Sequence, residues 1–334
     1  MEGMEVVWME ERGSQLMEKG VTDWFRGIAA IMVVLSHYAQ WWTWFAATEG
    51  KWEVLRLGVS KLGAYGVDIF FLFSGYAMVH SMGQERMYPN FIWKRVRNVF
   101  FPYFLVVGSI ELVSDGFHSW QDFWDFISGK DYWYMHVLFL FYIGFIVIYT
   151  IMGGKGSRCV VFCIFTYCMS YGMYREGMAD FWFVSNAAFA IGVAVGEYEE
   201  EVGKLIKKAG GLLMAVLGAG MALAVRSGLE PGIAAEKGAE ELLRMEIGAS
   251  LIWTLLVLVL TVKCRRKGKV LSYLGKRSLY IYLTHTFIFM WMVNVLECGI
   301  ALRFLVSATV TVIVSIWCNL LIKGIGSKIK SVVR

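Results

Sequence analysis

The strongest constraint on this chain is a succession of long apolar stretches that recur from residue 25 to residue 322. A helix needs about 20 apolar residues to cross the ~30 Å hydrocarbon layer of a bilayer. Ten stretches approach that length: roughly 25–45, 63–82, 98–114, 132–152, 159–174, 180–197, 209–226, 245–263, 278–297 and 301–322. They are continuous rather than alternating, which argues against the strands of a transmembrane barrel. With 57% hydrophobic and only 18% charged residues, the chain has too little polar surface for a soluble protein of 334 residues. The expected fold is an all-α integral membrane protein of about ten transmembrane helices.

The basic residues set the expected orientation. With the N-terminus inside, the inner segments hold 23 of the 32 Lys and Arg and the outer loops hold 9. The inner loop at 263–277 carries Lys263, Arg265, Arg266, Lys267, Lys269, Lys276 and Arg277, whereas the outer loop at 115–131 carries Asp115, Asp122, Asp125 and Asp131 against Lys130. Both termini are therefore expected in the cytoplasm, with the protein a multi-pass resident of the plasma membrane. The net charge of +5 reflects this bias and calls for no nucleic acid. Residues 1–22 read as a cytoplasmic leader without a cleavable signal, 23–324 as one transmembrane domain and 325–334 as a cytoplasmic tail. The loops at 115–131 and 227–244 are long enough to cover a membrane site or to be plain solvated connectors. The six cysteines lie in or beside the spans at spacings that fit neither a metal site nor a disulfide framework, so no metal is expected.

Arg26 and His37 carry the clearest chemical signal. Eleven helical steps make about three turns, so the two side chains share one face, roughly 16 Å apart along the axis. An ionisable group inside a span is costly and marks a functional site by default. Arg26 would grip an anionic carrier at the surface while His37 does proton chemistry at depth. Asp68, counted from the outer end of the second span, reaches about the depth of His37. It is therefore a candidate to orient the imidazole, or else one half of a helix–helix contact. Ser74, deeper in that span, is a candidate nucleophile, although Ser74-Gly75 suits close helix packing better. His285, in the ninth stretch, is a second candidate base or a structural histidine, and His136 a candidate acceptor contact. Lys94, Arg95 and Arg97 precede the third stretch on the basic side, where arginine suits phosphate.

At these residues the chain resembles the membrane-bound acyltransferase-3 family, which includes bacterial O-acetyltransferases of polysaccharides and lipid-linked sugars. Asp23 to Tyr38 resembles its opening "LDxLRGIAAxxVxxxH" block, and Gly66 to Tyr76 its "GVDxFFxxSGF" block, with Tyr76 for the commoner Phe. Phe91 to Tyr103 resembles its "RRxxRxxPxY" block, with Asn98 where another cation is common, and Leu274 to His285 its "LGxxSYxxYLxH" block, with Tyr280 displaced by one. Trp133 to Tyr142 is a weaker fifth match, and the similarity covers about residues 20–322. The resemblance implies transfer from acyl-CoA, in the first place acetyl-CoA, to a hydroxyl of a cell-envelope glycan, lipid-linked sugar or small molecule. Arg26 and His37 would be the essential pair, and Lys94, Arg95 and Arg97 would help hold the co-substrate. Many relatives carry an outer esterase-like domain that is not seen in this chain, so transfer would be direct or through a separate partner. The other partners expected are membrane lipids, with a homo-oligomer compatible with the sequence. The contrasting classes are a multi-span transporter or flippase and a membrane sensing or uptake module.

Overall fold

The computed structural model describes residues 15–44, 51–84, 88–114, 116–229, 238–264 and 268–332. Residues 1–14 of the leader, Asp115, part of the 227–244 loop, Arg265, Arg266, Lys267 and the last two residues of the tail lie outside them. Among the described residues the secondary structure is helical. The helices are α1 (Lys19–Trp41), α2 (Lys51–Ser60), α3 (Leu62–Gln84), α4 (Tyr88–Arg95), α5 (Phe101–Val113), α6 (Trp120–Ser128) and α7 (Trp133–Ile151). They continue with α8 (Lys155–Arg175), α9 (Asn186–Glu197), α10 (Glu199–Leu229), α11 (Ala239–Lys263), α12 (Lys269–Gly275), α13 (Ser278–Val295) and α14 (Ile300–Val332).

Among the described residues, seven segments are long and apolar enough to cross a membrane: Trp52–Gly83, Pro89–Val113, Trp133–Ile151, Glu199–Ser227, Ala239–Lys263, Ser278–Val295 and Ile300–Ile325. The other three expected spans fall on α1, α8 and α9. Helix α1 is 23 residues long but carries Arg26 and His37, and α8 is 21 residues long and begins with Lys155 and Arg158. Helix α9 has 12 residues, which at 1.5 Å each reach about 18 Å, short of a full bilayer crossing. Its Ala188, Phe189 and Val193 are buried within the bundle.

Apolar side chains gain little by leaving lipid for a protein interior, so close backbone approach and dispersion must hold such helices together. Two reciprocal glycine crossings do this around the site. A Cβ placed on Gly75 of α3 would collide with the Phe189 carbonyl oxygen of α9, and one on Gly192 of α9 with the Leu72 carbonyl oxygen of α3. In the same way Gly27 of α1 meets the Leu271 carbonyl of α12, and Gly275 of α12 meets the Asp23 carbonyl of α1. The basic 263–277 loop is therefore more than a connector, because α12 within it is wedged against the N-terminal end of α1. Beside the α3–α9 crossing, Phe141 of α7 stacks on Phe189 with ring centroids 4.4 Å apart, and both are fully buried.

Two further elements depart from the plain reading of the sequence. The 115–131 segment contains α6, closed at its start by a capping box in which Asp122 N–H donates to the Ser119 hydroxyl (3.1 Å) and Ser119 N–H to the Asp122 carboxylate (2.9 Å). Hydrogen bonds from Ser119 and from the His118 N–H hold the Asp122 carboxyl below the ordinary carboxylate range. Between α4 and α5, Val96–Phe100 form a π-helical turn, in which the Phe101 N–H reaches back five residues to the Val96 carbonyl. Pro102 follows directly and has no N–H to give to the preceding turn. Such turns rotate the side chains that follow them and are frequent at functional sites.

Candidate active site

Helices α1 and α13 bring together the two histidines that the sequence singled out separately. His37 Nδ1 and His285 Nε2 are 2.7 Å apart. The other ring nitrogen of His285, Nδ1, lies 2.7 Å from the Tyr282 carbonyl oxygen and 3.2 Å from that of Ile281. A carbonyl oxygen only accepts, so the network assigns the His285 proton to Nδ1. His285 Nε2 is then a bare acceptor, and the proton between the rings belongs to His37 Nδ1. In the neutral pair this leaves His37 Nε2 without a proton, which is the form a general base requires. His285 is 1% exposed and His37 is half-buried, so the fixed ring stands behind the more accessible one.

Asp68 does not take the orienting place that its depth suggested. It is fully buried on α3, its Oδ1 accepts from the Ser250 hydroxyl of α11 at 2.7 Å, and its Oδ2 makes no hydrogen bond within 3.5 Å among the described residues. The reason is azimuth. Helix α3 meets α1 through Gly63 and Gly66, where an added Cβ would sit 2.6 Å from Ser36 Oγ and 2.9 Å from the Ala29 carbonyl oxygen respectively. Two residues past Gly66, Asp68 is turned by about 200° and faces away from α1. Counting rise along a helix gives depth but not direction.

Toward the N-terminal end of α1, the Arg26 guanidinium lies 3.8 Å from Asp23 one turn earlier and 5.8 Å from the centre of the Phe73 ring. Ser74 follows Phe73 and is half-buried beside Tyr134. Arg95 points inward: its guanidinium contacts Met78 Sδ at 3.0 Å, donates to the Ala77 carbonyl at 3.3 Å and covers the Phe91 ring at 5.0 Å. Arg26 and Arg95 both lie near enough to Tyr142 for their charges to act on its phenol, so the two arginines share one region. Arg97 is exposed and donates to Asn98 Oδ1 at 3.3 Å, while Lys94 is half-buried. The basic block is thus split, with Arg95 facing into the bundle and Arg97 out of it. Between the arginines and the histidines lies an aromatic layer, in which the Tyr134 and Tyr282 ring centroids are 5.1 Å apart and those of Tyr282 and His285 5.9 Å.

His136 sits elsewhere. Its Nδ1 is 2.9 Å from the Ser128 carbonyl oxygen, tying α7 to the end of α6. Tyr76 also has a structural place, because its hydroxyl accepts from the Met17 N–H at 3.2 Å and donates to Glu199 at 2.5 Å. Sequence alone assigns no site role to Tyr142, Ser250 or the Tyr282 carbonyl. None of them stands out by type or spacing, because each matters through a partner on another helix.

A bundle of helices long and apolar enough to cross a membrane, with a pair of imidazoles in contact inside it, defines a class, helical membrane proteins that carry ionisable groups within the bundle. A family model described as an acyltransferase domain, the acyltransferase-3 type, matches residues 22–320, and the chain belongs to that family. Comparison with curated proteins and with solved structures found no match.

Proposed function

We propose that this membrane acyltransferase moves an acyl group, in the first place acetyl, from cytoplasmic acyl-CoA to a hydroxyl of a cell-envelope glycan, lipid-linked sugar or small molecule. The observation that carries this reading is the 2.7 Å contact between His37 and His285, with the proton on His37 Nδ1. His37 Nε2 takes the hydroxyl proton of the acceptor as its oxygen attacks the thioester carbonyl. A carbon–oxygen bond forms, the carbon–sulfur bond breaks, and the imidazolium returns the proton to the departing thiolate. His285 accepts from Nδ1–H throughout, which keeps the reactive nitrogen turned to the substrate. Arg26, about three helical turns from His37 at the distance that eleven residues impose, holds phosphates of the carrier together with Arg95. The 23-to-9 split of Lys and Arg supports placing both termini and the carrier mouth in the cytoplasm of a plasma-membrane protein.

The test is thiol release from acetyl-CoA by the purified protein in lipid nanodiscs with candidate hydroxyl acceptors. His37→Ala should still bind acyl-CoA yet lose at least ~10²-fold in turnover, the scale of a positioned base. His37→Gln should do no better, because an amide cannot take the proton. Near-normal turnover in a well-folded His37→Ala protein would remove this mechanism. Solute movement across liposomes without thiol release would instead select the transporter reading.

A further inference from the structure

Trp41 lies four residues, or one helical turn, beyond His37 on α1, and its indole is stacked against the imidazole. The ring centroids are 5.4 Å apart and the planes differ by 13°. The same indole is stacked on Phe289 of α13, with centroids 4.5 Å apart and planes at 20°, and it is 9% exposed. Phe289 is fully buried and sits one turn beyond His285 on its own helix. Two adjacent layers therefore join α1 to α13, one of paired imidazoles (centroids 4.9 Å apart) and one of stacked aromatics.

This arrangement has an electrostatic side. When His37 takes up a proton, a positive charge appears on a ring that makes no ion pair among the described residues, and Asp68 is turned to another helix. Among the described residues, two groups contact the ring and can receive the charge. His285 Nε2 accepts from the Nδ1 edge, and the electron-rich face of Trp41 lies within the ~6 Å at which an indole attracts a cation. We infer that Trp41 is a positioning residue for the transfer reaction. It keeps the His37 ring aligned with His285 and stabilises the imidazolium that exists only once the acceptor has given up its proton. The inference rests on His37 being the base. An interaction made only with the charged ring acts on turnover and leaves carrier binding untouched.

The experiment replaces Trp41 alone with tryptophans bearing one, two and three ring fluorines, which drain the π face while nearly preserving its shape. Turnover should fall stepwise across the series by roughly 2- to 30-fold in all, while KM for acetyl-CoA and the unfolding temperature stay constant. Trp41→Phe, with a weaker π face, should lie within the range of the series, and Trp41→Leu should lose the most in turnover. Constant turnover across the fluorinated series, with His37→Ala inactive, would overturn the inference and leave His37 as the base. A loss that appears in KM instead would also overturn it, assigning Trp41 to substrate contact. Normal turnover in His37→Ala would remove both readings together. Because the fluorinated proteins keep the indole, the test stands even if Trp41→Leu fails to fold.

Discussion

Replacing His285 tests the imidazole pair without touching the base. In His285→Leu the acceptor for His37 Nδ1–H disappears from a site where the original ring is 1% exposed. The orphaned N–H belongs to a half-buried ring and faces the buried side of the pair. An unsatisfied buried donor costs about 1–3 kcal/mol. The ring can avoid that cost by moving its proton to Nε2, which removes the basic lone pair from the substrate side. Either way the productive tautomer becomes a minority, and at 1.4 kcal/mol per tenfold turnover should drop by roughly 5- to 150-fold. His285→Gln places an amide oxygen near the lost Nε2 and should recover part of that loss. The assay is acetyl-CoA thiol release under saturating carrier, with single-turnover measurements to isolate the transfer step and carrier binding followed in parallel. Full turnover in a folded His285→Leu protein would refute the tautomer argument. So would a His285→Gln protein as impaired as His285→Leu, because the argument assigns the effect to a lost acceptor.

Three other expectations follow from the packing, the arginines and the charge bias of the loops. Gly75→Ala and Gly192→Ala each push a methyl into a carbonyl of the facing helix and should each cost about 1–3 kcal/mol, read as a lower unfolding midpoint in mild detergent. Arg26→Ala should raise KM for acyl-CoA and blunt its salt dependence, while Arg97→Ala, which alters an exposed side chain bonded to Asn98, should leave KM unchanged in steady-state assays. With native cysteines removed, His118→Cys should react with an impermeant thiol reagent in intact cells and Lys276→Cys only after lysis; the opposite pattern would invert the proposed topology.

Much of the local geometry of the candidate site was legible in the sequence, for a simple reason. A membrane span is a local object: its length, its apolarity and the three-turn spacing of Arg26 and His37 follow from consecutive residues and helix geometry. The basic block and the glycines of the matching motifs were equally visible, although what each glycine does was not. Gly27 and Gly275 could be seen as motif positions, but only their crossing shows that the two motifs hold each other's helices.

The sequence by itself determined an all-helical membrane chain, its family, and an arginine and a histidine on one face of the first helix. Only the tertiary structure decided which partner each group takes. His37 and His285 are 248 residues apart, and their 2.7 Å contact exists because α13 is packed beside α1. Asp68, expected at the depth of His37, faces Ser250 instead, because the glycines of α3 turn the opposite face of that helix to α1. Periodicity along one helix fixes which residues share a face. Which neighbour that face meets depends on the packing of helices distant in sequence, which no local pattern encodes.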